Sequence, residues 1–518
     1  MLALGPVFSS LLAQAQVLLP SSSGATVDLD NNYPGQASFA VGPTTSIVNA
    51  GIAVSGDNTQ DWQFINYGSV LNNATIQASA LQLGSLDRIT GGVTTRVDNY
   101  GTIQSNAANS GGPSGIQFTN GGVVYNYVGA VISGPDGIHT DNGSIEVYNS
   151  GQINSTQSSA IYSGRGALVE NLQGGTITGR MGIVSNGAYA ITIENDGTIS
   201  TTGRALWFFG GGIYSLLNTA TGVITGGNAS DATALFTAAA QSLMINYGLI
   251  QNPTTGNAIQ SSADQNILVN AGSISAGGTA MLLAGNGNSV YNLGALSGAT
   301  ALQFTGDNNT VVLGSHVSFP TLGIDVTGRG SRVTGNLVSI GNNNTVQLTD
   351  FGTENAPISG FDHLIMNGEA WTLSGPVTLG ASSLDALHVQ SGTLQLVSTL
   401  QGSGTRIDPG ATLLIGAAAR PQATLNSPLG IINNGTLGGY GQINANVTNQ
   451  GHIDVADAAP ALDVEGRGAL TLTGLLTNNG TINLRGQTPG NQLHLIGSLN
   501  GQGSLLLNTA LGRRQFCL

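Results

Sequence analysis

The sequence predicts an all-β chain, a right-handed parallel β-helix in which a single chain winds through about 19 coils. Three observations predict it. A phrase built on Asn and Gly recurs at a near-constant interval, β-branched residues and glycine dominate, and charged residues are only 8% of the chain. Apolar residues stay at 40%, enough for a long core without a charged shell.

The phrase is Asn, one or more small residues, Gly, one residue, then Ile, Val or Leu. It reads Asn66-Tyr-Gly-Ser-Val70, Asn99-Tyr-Gly-Thr-Ile103, Asn149-Ser-Gly-Gln-Ile153, Asn195-Asp-Gly-Thr-Ile199, Asn246-Tyr-Gly-Leu-Ile250, Asn270-Ala-Gly-Ser-Ile274 and Asn292-Leu-Gly-Ala-Leu296, with looser copies from Asn126, Asn171 and Asn218. From Asn99 the steps are 27, 23, 22, 24, 23, 28, 24 and 22 residues. Each period holds two further short alternating strands, such as Ala258-Ile259 and Ile267-Leu-Val269. Three short strands per period, split by Gly, Asn or Ser turns, describe one solenoid coil. No stretch sustains helical i, i+3, i+4 apolar spacing. At the strand spacing, the coils would build a rod on the order of 90 Å. The repeated Asn is read as a turn residue that tolerates the left-handed region and bonds its counterparts above and below. The following Gly is read as supplying positive φ.

The 13 basic residues are all Arg, and the net charge is −13 with carboxylates scattered along the chain. That balance argues against nucleic acid and anionic membrane surfaces as partners. The single cysteine, Cys517, excludes an internal disulfide and a cysteine-based metal site. Residues 1–15 read as the apolar part of a signal peptide ending at Ala13-Gln14-Ala15; the first basic residue is Arg88, so the start codon is expected upstream. No later run of about 18 apolar residues would span a membrane as a helix.

Along the chain, residues 16–60 read as an N-terminal cap with irregular first coils, and residues 61–358 as regular coils. After about Ser359 the phrasing changes, to Leu387-His-Val-Gln-Ser-Gly-Thr-Leu-Gln-Leu396, Ile407-Asp-Pro-Gly-Ala-Thr-Leu-Leu-Ile415, the run from Ile432 to Ile453, and Leu476-Thr-Asn-Asn-Gly-Thr-Ile-Asn-Leu484. This order resembles the C-terminal passenger segment of autotransporters of the pertactin-like or AIDA-like kind, whose closing phrase is matched by Gly490 to Gly512. The resemblance is specific over residues 385–512 and rests on the coil repeat alone over residues 60–340. It implies a pectin-lyase-like solenoid, an autochaperone-like end from about residue 385, and export from a Gram-negative bacterium. The implied partner in secretion is an outer-membrane translocator β-barrel, for which no alternating strands are present here.

The departure from the family begins after Leu511-Gly512. One inserted nucleotide turns codons for Gly-Asp-Asp-Ser-Ser-Val into codons for Gly-Arg-Arg-Gln-Phe-Cys-Leu, so residues 513–518 are expected to be a frameshifted tail. The chain as it stands would then remain periplasmic, whereas the intact product would reach the cell surface.

Catalytic phrases are missing. His139, His316, His363, His388, His452 and His494 are far apart and without two-histidine metal spacing. Neither a Gly-x-Ser-x-Gly elbow nor a phosphate loop is found, and Gly226-Gly-Asn-Ala-Ser-Asp231 only approaches a calcium repeat. The nearest acid cluster, Asp136-Gly-Ile-His-Thr-Asp141, is expected to place its carboxylates on either side of a strand. The sequence thus predicts no enzyme, no cofactor and no metal. The alternative is a polysaccharide lyase or hydrolase on the same fold, which clustered carboxylates in a groove would support.

Aligning the coils on the start of one strand (Gly137-Ile138, Ala160-Ile161, Gly182-Ile183, Ala205-Leu206, Ala234-Leu235, Ala258-Ile259, Ala280-Met281) gives a next column of His139, Tyr162, Val184, Trp207, Phe236, Gln260 and Leu282. Ile or Leu points inward, so this column points out. His139, Tyr162, Trp207 and Phe236 are the candidate partner-binding residues, because outward aromatic faces stack on sugar rings or apolar partner surfaces. The structural alternative is that the long coil at residues 226–245 folds over them. Tyr67, Tyr100, Tyr127 and Tyr247 are expected to stack along a corner. The expected function is that of an adhesin or interaction protein that engages a host-cell or glycan surface, or itself in a biofilm.

Overall fold

In the computed structural model the described residues are 16–507, except 74, 76, 86–94, 109–112, 228–232, 381, 418–419, 456–468 and 486–490. The expected signal segment 1–15, Asp231, and the tail 513–518 with Cys517 lie outside them. The chain divides into two compact units, residues 1–215 with 221–225, and residues 216–220 with 226–518. Each is a parallel β-solenoid, and the chain holds about 20 turns with almost no helix.

In the first unit each coil contributes three strands, and each strand pairs in parallel with its counterpart one coil on. Arg96–Asn99, Gly122–Asn126, Ile145–Asn149, Ala167–Asn171 and Ile191–Asn195 form one sheet. Thr102–Ser105, Val131–Gly134, Gln152–Ser155, Thr176–Gly179 and Thr198–Thr201 form the second. The third holds Ser114–Phe118, Asp136–Thr140, Ser159–Ser163, Met181–Ser185 and Leu206–Phe208. Pairing starts early, since Val17–Leu19 joins Ser38–Val41 and that strand joins Gln63–Asn66. A one-turn helix, Leu29–Asn32, is capped by Asp28.

Alternation turns every second side chain inward, so β-branched residues line up from coil to coil. Ile103, Ile132, Ile153, Ile177 and Ile199 form one fully buried column, and Ile116, Ile138, Ile161, Ile183 and Leu206 another. Each such side chain contributes about 1.5–3 kcal/mol of burial. Because a coil buries them only against its neighbours, stability accrues coil by coil.

In the second unit one sheet runs through Leu243–Asn246, Ile267–Asn270, Ser289–Asn292, Thr310–Leu313, Thr345–Leu348 and His363–Met366. An insertion interrupts it as an antiparallel hairpin, His316–Phe319 with Ile324–Thr327. Val317, Phe319, Ile324 and Val326 of that hairpin pack on Ile245, Ile267, Val269 and Tyr291. From Phe351–Glu354 to Ser504–Leu506, one further sheet is a separate stack of eight strands.

The repeated Asn does bond its counterparts, although not from the conformation expected. The Nδ2 of Asn66, Asn99, Asn126, Asn149 and Asn171 donates to the Oδ1 of the next Asn at 2.8–2.9 Å, ending on Asn195. In the second unit the same ladder links Asn218, Asn246, Asn270 and Asn292. These side chains are buried and none of these residues has positive φ. The correction extends to glycine. A Cβ at Gly101 would collide with the Gly68 carbonyl oxygen, and one at Gly272 with that of Gly248, so close backbone approach is what requires glycine there. Positive φ appears where the phrase is one residue longer, as at Gly129, φ 83°. Among the described residues, no helix is long and apolar enough to cross a membrane.

Candidate functional site

The outward column of the third sheet assembles in register. In the first unit His139 lies beside Tyr162, Tyr162 beside Val184, and Val184 beside Trp207. Their inward neighbours Ile138, Ile161, Ile183 and Leu206 are fully buried, which fixes the outward direction of the column. In the second unit Phe236 is followed in register by Gln260, Leu282 and Gln303.

The column is not uniformly open. His139 is only 6% exposed. Its Nδ1 lies 3.0 Å from Asp136 Oδ2, its Nε2 lies 3.1 Å from Asp141 Oδ1, and its ring stacks on Tyr162 at 4.6 Å. Both carboxylates therefore bond one imidazole, which corrects the expectation that the strand would hold them apart. Asp141 follows the strand end at Thr140, so alternation no longer governs its direction. Asp136 is sealed further by accepting the Ser159 N–H at 2.7 Å.

Two carboxylate acceptors suit a doubly protonated ring. Burial opposes the charge on His139, but the bonds and charges of Asp136 and Asp141 outweigh it and raise the pKa above 6.5. The stabilisation is complete below the unfolded value near 6.5 and is lost as pH rises through the folded value. Replacing His139 by Gln is therefore expected to cost more at pH 5.5 than at pH 9, by about 1 kcal/mol, in amide hydrogen exchange of Asp136–Thr140 and the strands paired with it.

Tyr162 and Trp207 are half-buried, as is Phe236. The Arg204 guanidinium sits 4.4 Å above the Trp207 ring, and Phe209, which is exposed, lies 4.9 Å from it. Trp207 and Phe209, tilted 42° to each other, thus form an aromatic pair with a guanidinium over the Trp207 ring. Phe209 and Arg204 were not singled out from the sequence, because neither belongs to the aligned column. Among the described residues a hairpin that folds back on a sheet is found at residues 316–327, and it covers Tyr291 on a different sheet; the long coil at 226–245 lies partly outside the described residues.

The corner tyrosines behave in two ways. Tyr67 stacks on Tyr100 at 4.9 Å and Tyr100 on Tyr127 at 4.0 Å. Among the described residues Tyr247 stacks on no other ring, since Ala271 and Leu293 take its place in the next coils. Elsewhere His316 pairs with Asp325 and His388 with Asp408. Among the described residues no group of three or more His, Cys, Asp or Glu could hold a metal ion.

The uncharacterized protein YuaQ of Escherichia coli (strain K12) is 39% identical to this chain over 94 residues, which are 18% of the chain and 6% of that protein. The chain thus matches a small part of its length. No protein-family profile matches the sequence. No solved structure matches it either.

Proposed function

We propose that the chain is the passenger of a Gram-negative autotransporter, exported and displayed as a β-helical adhesin that engages a host-cell or glycan surface. The observation that carries this reading is the aromatic column on the third sheet, with Tyr162 and Trp207 half-buried and Phe209 exposed beside them. A solenoid core is satisfied by inward residues alone, so aromatic side chains left facing water are available to a partner. The distal phrases after residue 385 support the family, and a translocator barrel in the outer membrane would deliver the chain to the surface.

The test is the double variant Trp207→Ser with Phe209→Ser, both in the first unit, displayed on cells and applied to cultured epithelial cells and a glycan array. The expected loss is on the order of 2 kcal/mol, about 30-fold in affinity, with circular dichroism unchanged. Unchanged binding by a folded variant would remove the column from the reading. Binding only between displaying cells would redirect it to self-association.

The enzyme alternative has one observation in its favour, the union of Asp136, His139 and Asp141. Against it, Asp136 is 2% exposed and already engaged by His139 and Ser159, leaving it no free approach to a glycosidic oxygen.

A further inference from the structure

The first sheet of the first unit has an outward face unlike the corresponding face of the second unit. Immediately before the ladder asparagines it reads Asp98, Tyr125, Tyr148, Glu170 and Glu194, paired in register. Two residues earlier in its strand, Arg96 stands before Asp98 and Glu146 before Tyr148. In the second unit the same positions hold Ile245, Val269 and Tyr291, and the hairpin 316–327 lies over them. The solenoid therefore makes this face apolar where its own chain covers it, and aromatic and acidic in the first unit.

One cation shows how the acidic face takes a guanidinium. Arg96 sits 4.1 Å over the Tyr125 ring and forms a forked pair with Asp98, Nε at 2.6 Å and Nη2 at 2.7 Å. One coil further, Tyr148 stacks on Tyr125 at 4.7 Å, with Glu146 beside its hydroxyl and Glu170 next in register. The aromatic ring and the carboxylates recur there, but among the described residues no cation pairs with Glu146, Glu170 or Glu194. Burial, then the charges of Glu194, Asp196 and Glu146, raise the Glu170 pKa.

We propose that this face, from Tyr125 to Glu194, docks an arginine-rich polypeptide segment, its guanidinium groups seated on Tyr148 and paired to Glu146, Glu170 and Glu194 as Arg96 is to Tyr125 and Asp98. Arginine is favoured over lysine because its planar fork both stacks on the ring and bridges two carboxylate oxygens. The surface is separate from the column of Trp207, so this proposal and the adhesin reading fail independently.

The experiment measures binding of fluorescein-labelled nona-arginine to the purified chain at about 150 mM NaCl, where diffuse attraction is screened. The variant Glu146→Gln/Glu170→Gln/Glu194→Gln is compared with Asp325→Asn/Glu369→Gln/Asp385→Asn, which removes the same charge elsewhere. The face variant is expected to weaken binding about tenfold or more, and Tyr148→Leu about threefold, while the control triple stays within about twofold. Equal losses in the two triples, or no change in Tyr148→Leu, would overturn the proposal. Circular dichroism and an unchanged melting profile establish that each variant is folded.

Discussion

Asn149→Leu is expected to destabilise its coil by about 3 kcal/mol. The Asn149 amide donates to Asn171 Oδ1 at 2.8 Å and to the Thr176 carbonyl at 3.2 Å, while its Oδ1 accepts from Asn126 at 2.8 Å. Leucine fills nearly the same space, yet leaves one Asn126 N–H and the Asn171 acceptor unpaired where no water reaches them, while the other Asn126 N–H keeps the Gln152 carbonyl. Asn478, where a ladder from Asn433 and Asn449 ends, keeps only a long 3.4 Å bond beyond it, and its replacement by Leu is expected to cost about 1 kcal/mol. A solenoid does not unfold as one unit, so the reading is amide hydrogen exchange in the coils on either side. Protection unchanged around residues 126 and 171 in Asn149→Leu would mean that the ladder contributes little.

Glu354→Gln is expected to raise stability by roughly 3 kcal/mol near pH 8 and to leave it almost unchanged near pH 4. The Glu354 side chain points inward at the end of Phe351–Glu354 and stacks in register on Leu373 and Leu396. One oxygen accepts the N–H groups of Asn355 and Ala356, while the other is buried with no hydrogen-bond partner among the described residues. Burial outweighs those two bonds and pushes the carboxyl up to about 7. Its unfolded value is near 4.5, so the native chain keeps this contribution below pH 4.5 and loses it progressively as pH rises through about 7. Hydrogen exchange of the paired strand Ala370–Leu373, compared across pH in the two proteins, checks the sign. A difference that does not grow with pH would show that Glu354 is ionised at little cost.

The coil repeat was legible because it is enforced at every turn. Asn99, Asn126, Asn149 and Asn171 recur at nearly equal steps, and each occupies the same buried ladder. What the sequence does not display is which conformation a repeated residue serves. The repeat suggests turn residues in the left-handed region for the ladder asparagines and Gly101, whereas the first are interior donors and the second a point of backbone contact. A second ladder was missed: Asn266, Asn288, Asn309 and Asn344 each accept a backbone N–H from the coil before, at 2.6–2.9 Å. Its signal is present in Gly285-Asn-Gly-Asn288, Gly306-Asp-Asn-Asn309 and Gly341-Asn-Asn-Asn344, phrases that look like ordinary loop polarity.

The candidate surface was legible in part for a similar reason. Register arithmetic placed His139, Tyr162 and Trp207 in one column, because paired strands keep step. It could not show that His139 is sealed between two carboxylates, since Asp141 reaches the ring from beyond the strand end. The residue before each ladder asparagine carries the signal for Tyr125 and Tyr148, which meet at the same strand position and stack.

In the first unit the asparagine column also sets the grain of length that evolution can add or remove. Each rung accepts from one neighbour and donates to the other, so excising a whole period, such as residues 150–171, brings Asn149 against Asn195 with donor and acceptor still matched. Removing a single residue within Ile145–Asn149 would instead turn Val147 outward and Tyr148 into the core. Change by complete coils is therefore the inexpensive route, and the outward faces can be rewritten coil by coil while the interior pattern stays fixed.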